Sequence, residues 1–255
     1  VQTRMPRALK EPTLETKNYA LQALLAGVRG QTRKVTACVQ AACKDYDLAD
    51  PDLPQGDKLV TWRKLDGNIG YVRIENSLGD GGAVAEFDAA VTALGNVRAL
   101  IIDLRNTPGG GNTSVAEPIM GRFVTKTTAY QKVFTPGRGW WDRVVEPRGP
   151  HIETPLYVLV DRWTGSMGEG MAVGFDGMKL GTVVGTRMAG LKGAIEDFEL
   201  PNTNVIAKFP VEKLSHLNGT PREDWAPPVL VDLTKSNAPD PILEAALNQI
   251  GISKR

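Results

Sequence analysis

A serine stands where an apolar segment of the sequence ends and a segment with helical spacing begins. The run Leu156–Val160 is apolar and partly β-branched, and residues 161–165 form a polar turn before Ser166. At a helix N-terminus, free backbone N–H groups and the helix dipole stabilise negative charge, as the oxyanion of an acyl-transfer reaction requires. Ser166 is therefore a candidate nucleophile. The alternative is a helix N-cap, with Glu169 as its capping-box partner.

A glycine-rich turn at residues 106–111 follows a second apolar run, residues 99–104. Consecutive glycines allow the backbone to approach a ligand closely and to turn its N–H groups inward. The phosphate-loop pattern does not fit, because no Gly-Lys-Ser/Thr follows, and the glycine spacing does not fit a dinucleotide site. The turn is either a site for an oxyanion or carbonyl oxygen, or a plain strand-to-helix turn.

An acyl-transfer site also needs a general base. Lys192 lies in a glycine-flanked loop, and a lysine desolvated in a pocket loses its proton more easily. Glu196, four residues on, is placed to hold or orient the ammonium. The alternative for Lys192 is a solvated surface charge. The sequence has two histidines, His151 and His216, of which His216 is the only plausible base.

The elements that would position these residues alternate between strands and helices, which predicts an α/β fold. We expect a hairpin from strands 60–64 and 69–74, buried strands at 99–104, 156–160 and 182–185, and an antiparallel pair at 198–200 and 205–210. Helices are predicted at 83–94, 115–124, after Ser166, and at 240–250 with Asp240 as its cap. Residues 126–150 read as a long polar surface excursion.

Residues 1–57 are predicted to be an N-terminal extension, and residues 58–255 the main domain. The extension has a predicted helix at 16–28, a hairpin at 34–46 and a linker at 50–57. Its cysteines, Cys38 and Cys43, either pair across the hairpin or remain two thiols. The net charge of +1 gives no sign of a nucleic-acid partner, and no apolar run is long enough to span a bilayer.

Three blocks in order resemble the C-terminal processing (tail-specific) serine proteases, a family that includes the tricorn core. The blocks are residues 70–74, residues 100–111 with the pattern Asp-Leu-Arg-Asn-Thr-Pro-Gly-Gly, and residues 158–169 with a serine three positions before a glutamate. The resemblance covers residues 59–232. It implies an α/β, Clp protease/crotonase-like spiral of ββα units, here with a small N-terminal α+β extension. The family's PDZ domain is represented at most by an incomplete, PDZ-like segment at 19–39.

The resemblance also implies roles for individual residues. Ser166 would be the nucleophile, and the N–H groups of Met167 and of Gly109 or Gly110 would form the oxyanion hole. Lys192 occupies the position of the family's catalytic lysine, but its loop reads Gly-Leu-Lys-Gly, one residue longer than the family's Gly-Lys-Gly. The supporting glutamine of the family is replaced by Glu196.

We therefore expect a serine peptidase that acts through an acyl-enzyme, in protein or peptide C-terminal processing. The alternatives are a non-catalytic relative that binds a peptide or an apolar ligand, and a crotonase-like acyl-thioester enzyme that binds coenzyme A. No cofactor and no metal are expected. The expected partner is a protein or peptide substrate, with no nucleic acid and no membrane span. The sequence is compatible with an oligomer and leaves the oligomeric state open. We expect a periplasmic or secreted protein rather than a cytoplasmic one.

Overall fold

The computed structural model describes residues 34–39, 42–47, 58–75, 77–107, 110–200, 206–236 and 238–251. The chain divides into two compact units, residues 1–55 and 56–255. In the first unit, β1 (Lys34–Val39) and β2 (Ala42–Asp47) form an antiparallel hairpin in which Cys38 is the register partner of Cys43. This confirms the predicted hairpin. The predicted helix at 16–28 and linker at 50–57 lie outside the described residues.

The second unit is built on a six-stranded sheet with the order β13-β9-β8-β5-β4-β3. Its strands are β3 (Val60–Leu65), β4 (Ile69–Ile74), β5 (Ala99–Asp103), β8 (Leu156–Val160), β9 (Gly181–Gly185) and β13 (Val229–Leu230). Neighbours from β4 to β13 run parallel, and β3 pairs antiparallel with β4 at the edge. All five residues of β5 are buried, as expected for a parallel strand covered on both faces.

Helices cover both faces of this sheet. They are α1 (Gly82–Leu94), α2 (Thr113–Met120), α3 (Met167–Gly177) and α4 (Pro241–Ile250). The first three contribute to the larger core, which includes Phe87, Ile119 and Phe175, whereas Ile242 and Ala246 of α4 belong to a smaller core. Asp240 caps α4 through the N–H of Leu243, as predicted. The predicted helix at 115–124 is shorter, because α2 gives way to a 3-10 turn at Gly121–Phe123.

A three-stranded sheet, β12-β6-β7, corrects the prediction for residues 126–150. These residues were expected to be a polar surface excursion, but β6 (Thr128–Thr135) and β7 (Gly139–Val145) form a hairpin joined by β12 (Lys213–Ser215). Tyr130 is fully buried and packs on α3 beside Gly174. The prediction was wrong because the buried residues of this hairpin are interspersed with charged residues, which hide the strand pattern.

The remaining pair of strands, β10 (Ile195–Glu199) and β11 (Ile206–Pro210), is antiparallel. The sequence predicted such a pair at 198–200 and 205–210, close to its observed position. The fold is mixed α/β, and the finer description as a spiral of ββα units stays a prediction. Within the described residues, no helix has the length and apolar character needed to cross a membrane.

Candidate active site

Two turns leave neighbouring strands of the sheet at the same edge. We call residues 104–111, after β5, the glycine turn, and residues 161–166, after β8, the serine turn. Because β5 and β8 are adjacent and parallel, their carboxyl ends emerge side by side, which is where open α/β sheets place their sites. The strand order therefore brings the two turns next to each other.

Two carbonyl groups join the turns to each other. The carbonyl of Leu104 accepts from the hydroxyls of Thr107 (2.7 Å) and Thr164 (2.9 Å). The carbonyl of Thr107 accepts from the N–H of Gly165 (3.3 Å) and from the N–H of Gly110 (3.2 Å). Both threonines are fully buried. Since the bonds satisfy polar groups that water does not reach, they hold the turns in a single relative position.

Gly110 lies directly against the candidate nucleophile. Its φ is +64°, and a Cβ at this position would lie 2.4 Å from the Cβ of Ser166, 3.0 Å from its Oγ and 3.4 Å from the backbone nitrogen of Met167. Only glycine permits this approach and this backbone conformation without strain. The structure thus brings together three of the residues predicted for the site, namely Ser166, Gly110 and Met167. Gly109 lies outside the described residues.

Ser166 itself has an unusual backbone conformation, with φ of 50° and ψ of −109°. A residue in such a sparsely populated backbone region costs about 1–3 kcal/mol, and such residues cluster at functional sites. Ser166 is also the N-cap of α3, and its N–H donates to the carboxylate of Glu169 (2.8 Å). The prediction that Ser166 caps the helix is therefore correct. A cap does not explain the strained conformation, however, because N-cap residues ordinarily have β-region angles.

Glu169 connects the serine turn to the loop that carries Lys192. Its Oε2 accepts from the N–H of Ser166, and its Oε1 accepts from the N–H groups of Gly190 (2.8 Å) and Leu191 (3.2 Å). The carboxylate is fully buried and lies 3.7 Å from the guanidinium of Arg222. One buried carboxylate thus holds the backbones of two separate segments.

Arg222 completes this connection from the other side. Its Nη1 donates to the carbonyl of Ser166 (3.2 Å), and its Nη2 donates to the carbonyl of Leu191 (2.6 Å). Burial raises the pKa of Glu169, while Arg222 and the backbone N–H groups act in the opposite direction. Burial lowers the pKa of Arg222, and Glu169 opposes that shift. Each charge therefore offsets part of the desolvation of the other.

The side chains predicted to act as base and support are not in the buried part of this site. Lys192 follows Leu191 in the anchored loop, but its side chain is exposed. Glu196 lies on β10, a strand whose five residues are all exposed. The expectation of a desolvated Lys192 in a pocket is therefore not met in this structure. The loop backbone, however, is held beside Ser166.

The two histidines lie away from the candidate nucleophile. His216 Nε2 is 3.1 Å from the carboxylate of Asp176, and its Nδ1 accepts from the N–H of Asn218. Asp176 is in the last turn of α3, whereas Ser166 caps its first turn, so about 15 Å of helix separates them. His151 is exposed. The structure does not support His216 as the base for Ser166.

The comparison with protein-family models identifies the family of this chain. The model of peptidase family S41 matches residues 68–227, which include the glycine turn, the serine turn, the Lys192 loop and Arg222. The chain belongs to peptidase family S41. This confirms the resemblance to the tail-specific and tricorn proteases, and it makes the chain a member of a family of peptide-bond hydrolases.

Solved structures share the fold of this S41 chain at low sequence identity. A candidate peptidase from Parabacteroides merdae has a TM-score of 0.65 at 20% identity, with 94% of this chain and 84% of that chain covered. The photosystem II D1 C-terminal processing protease has a TM-score of 0.62 at 19% identity, with coverages of 87% and 62%. The tricorn protease has a TM-score of 0.52 at 21% identity, with coverages of 72% and 18%. No curated protein sequence matches the chain.

Sequence reasoning missed Arg222 as a residue of the S41 site. It lies in a 3-10 turn, Arg222–Asp224, far along the chain from both Ser166 and Leu191. No local spacing links an arginine in such a turn to a serine 56 positions earlier. The available signal was Glu169, an acidic residue next to the candidate nucleophile that needs a cation if it is buried; the sequence analysis used it only as a cap and as part of the family motif.

Proposed function

We propose that this S41 peptidase cleaves peptide bonds through an acyl-enzyme on Ser166. The observation that carries the proposal is the strained backbone of Ser166, which lies so close to Gly110 that a Cβ at Gly110 would clash with it. In many hydrolases the nucleophile lies on a strained turn between a parallel strand and a helix, as Ser166 does here. This turn places Ser166, which is half-buried, at the carboxyl ends of the strands, where a substrate carbonyl would approach.

The reaction would proceed in two displacements. The Oγ of Ser166 attacks the carbonyl carbon and loses its proton to the base, and the carbonyl oxygen becomes an oxyanion near the N–H of Met167. When the tetrahedral intermediate collapses, the C–N bond breaks and the amine leaves with a proton from the base. Water then hydrolyses the ester and restores the hydroxyl.

The second oxyanion donor would come from Gly109 or Gly110. In this structure the N–H of Gly110 donates to the carbonyl of Thr107 at 3.2 Å. For Gly110 to act, this long hydrogen bond has to be exchanged for one to the oxyanion. The N–H of Gly109 is the alternative donor, and both stay proposals.

Lys192 is proposed as the general base. The backbone of Leu191, the residue before it, is bonded to Glu169 and Arg222, which also bond the backbone of Ser166, so the loop is held close to the nucleophile. A bound substrate would exclude water from the amine, and desolvation favours the neutral form of an amine, which is the form that accepts a proton. Glu196 is proposed only as a partner that orients the ammonium.

The finer proposal is that the substrates are protein or peptide C-terminal regions, in a periplasmic or secreted setting. The tail-specific motifs support this choice of substrate, as does the fold shared with the D1 C-terminal processing protease. Oligomerisation is a further proposal, and the tricorn neighbour is its only support.

A pH–rate profile with a fluorogenic peptide tests this mechanism. We expect turnover that Ser166→Ala abolishes, and a rise of kcat/KM with pH that disappears in Lys192→Ala. His216→Ala serves as the matched control and should keep the profile. A transition near pH 6.5 that vanishes in His216→Ala would transfer the role of base to the histidine. Peptide binding without any turnover would instead indicate a non-catalytic relative.

A further inference from the structure

A β-bulge turns a polar side chain of β6 toward the candidate active site. The register between β6 and β7 shifts between Ala129 and Gln131. Successive strand residues normally alternate between faces, but Tyr130 and Gln131 are both buried, with exposures of 0% and 1%. Bulges of this kind re-aim side chains next to active sites.

The amide of Gln131 lies near Gly170, a residue one helical turn after Ser166. A Cβ on Gly170 would be 3.8 Å from Gln131 Oε1 and 2.9 Å from the Cε of Met167. The N–H of Gly170 donates to the carbonyl of Ser166 at 3.0 Å, so these two residues are stacked on the same face of α3. Gln131 therefore approaches the side chain of the residue whose N–H is the proposed oxyanion donor.

One end of this amide has no partner. In the part of the chain that the structure describes, Gln131 Nε2 is one of three buried side-chain polar atoms without a hydrogen bond. Its polar neighbours are already engaged, since the hydroxyl of Tyr130 donates to Glu117 and the cross-strand residue Arg143 pairs with Glu212 at 3.2 Å. A buried donor without an acceptor lowers stability, and a ligand that supplies the acceptor would remove this cost.

We propose that Gln131 determines specificity in the subsite for the residue whose carbonyl Ser166 attacks. Its Nε2 donates a hydrogen bond to a side-chain carbonyl oxygen of that residue, which favours asparagine over an apolar side chain of the same shape. The thioether of Met167 forms the apolar wall of the same subsite. This inference rests on the proposed peptidase function and adds its substrate class.

Two fluorogenic peptides that differ only by asparagine or leucine before the cleaved bond test the proposal. Asparagine and leucine have nearly the same shape, so their kcat/KM ratio isolates the polar contact. We expect the wild type to prefer asparagine by about tenfold or more, and Gln131→Leu to bring the ratio close to one while cleavage of the leucine peptide persists. Gln249→Leu, a change of an exposed glutamine on α4, is the control that should keep the ratio.

Thermal unfolding supplies a readout that does not depend on turnover. Gln131→Leu should raise the Tm, because it removes an unpaired buried donor. A lower Tm would show that the amide has a structural partner, and an unchanged peptide ratio would show that it does not touch the substrate; either result overturns the proposal. Gln131→Met replaces the leucine variant if that variant does not fold. If the wild type cleaves neither peptide nor any other, the peptidase function itself fails, and this inference fails with it.

Discussion

Replacing Glu169 by glutamine should break the connection between the nucleophile and the lysine loop. Glu169→Gln keeps the shape of the side chain but exchanges one acceptor oxygen for a donor NH₂ group. One oxygen of Glu169 now faces Ser166 N–H and the other faces Gly190 and Leu191. Whichever way the amide is turned, an N–H group of the backbone meets a donor, and Arg222 loses its buried counter-charge.

The expected cost follows from burial and charge. Both partners are nearly inaccessible to water, with side-chain exposures of 3% for Arg222 and 0% for Glu169. Removing one member of a buried ion pair costs about 3–5 kcal/mol of unfolding free energy. This is a large part of the total stability of a domain, which is about 5–15 kcal/mol. Small displacements of catalytic groups reduce rates by about 100-fold, so we expect a loss of kcat/KM of that order.

Urea unfolding and peptide hydrolysis measure these two effects. Glu153→Gln, the same change at an exposed glutamate, is the control and should alter the unfolding free energy by less than about 0.5 kcal/mol. In a double-mutant cycle, Arg222→Met combined with Glu169→Gln should cost clearly less than the sum of the single changes. Strictly additive losses, or a Glu169→Gln enzyme with wild-type stability and activity, would refute the reasoning.

Two further predictions concern a glycine and a tyrosine. Gly110→Ala should lose about 100-fold in activity, because its Cβ would press on Ser166. The control is Gly95→Ala, at a glycine with a similar φ of +61° and open space around it, which should lose only about 1–2 kcal/mol of stability and no activity. Equal activities of the two variants would contradict the packing argument. Burial, and then the charge of Asp103, raise the pKa of Tyr71 to about 12. Since the folded state holds this proton more tightly, the stabilising contribution is present below pH 10 and lost as the pH rises toward 12. Urea unfolding should therefore show the wild type losing about 2 kcal/mol more than Tyr71→Phe between pH 9 and pH 12, and parallel pH curves for the two proteins would count against it.

The sequence was informative wherever a feature repeats along a short segment. Apolar runs of strand length predicted β5 and β8, and the helical spacing after Ser166 predicted α3. Once these strands are neighbours in a parallel sheet, the meeting of Ser166 and Gly110 follows from the position of each at a strand's carboxyl end. The motifs of the family then pointed to the same pair of residues.

The sequence was least informative about contacts between distant segments. Arg222 and Gln131 reach the site from a 3-10 turn and from a bulged strand, and neither position has a local pattern that marks it as buried. The sequence left open whether Lys192 is desolvated or exposed, because loop conformation depends on tertiary hydrogen bonds that spacing does not encode. In physical terms, periodicity reports which face of an element is buried, but not which remote partner covers it.

Covalent labelling of Ser166 tests the central claim most directly. A fluorophosphonate probe reacts with a serine only where the hydroxyl is activated and an oxyanion site accepts the phosphoryl oxygen. We predict one adduct per chain, located by mass spectrometry on the peptide that contains Ser166, absent in Ser166→Ala and strongly reduced in Gly110→Ala. Labelling that persists in Ser166→Ala, or no labelling of folded wild-type protein under conditions where it hydrolyses peptides, would contradict the account.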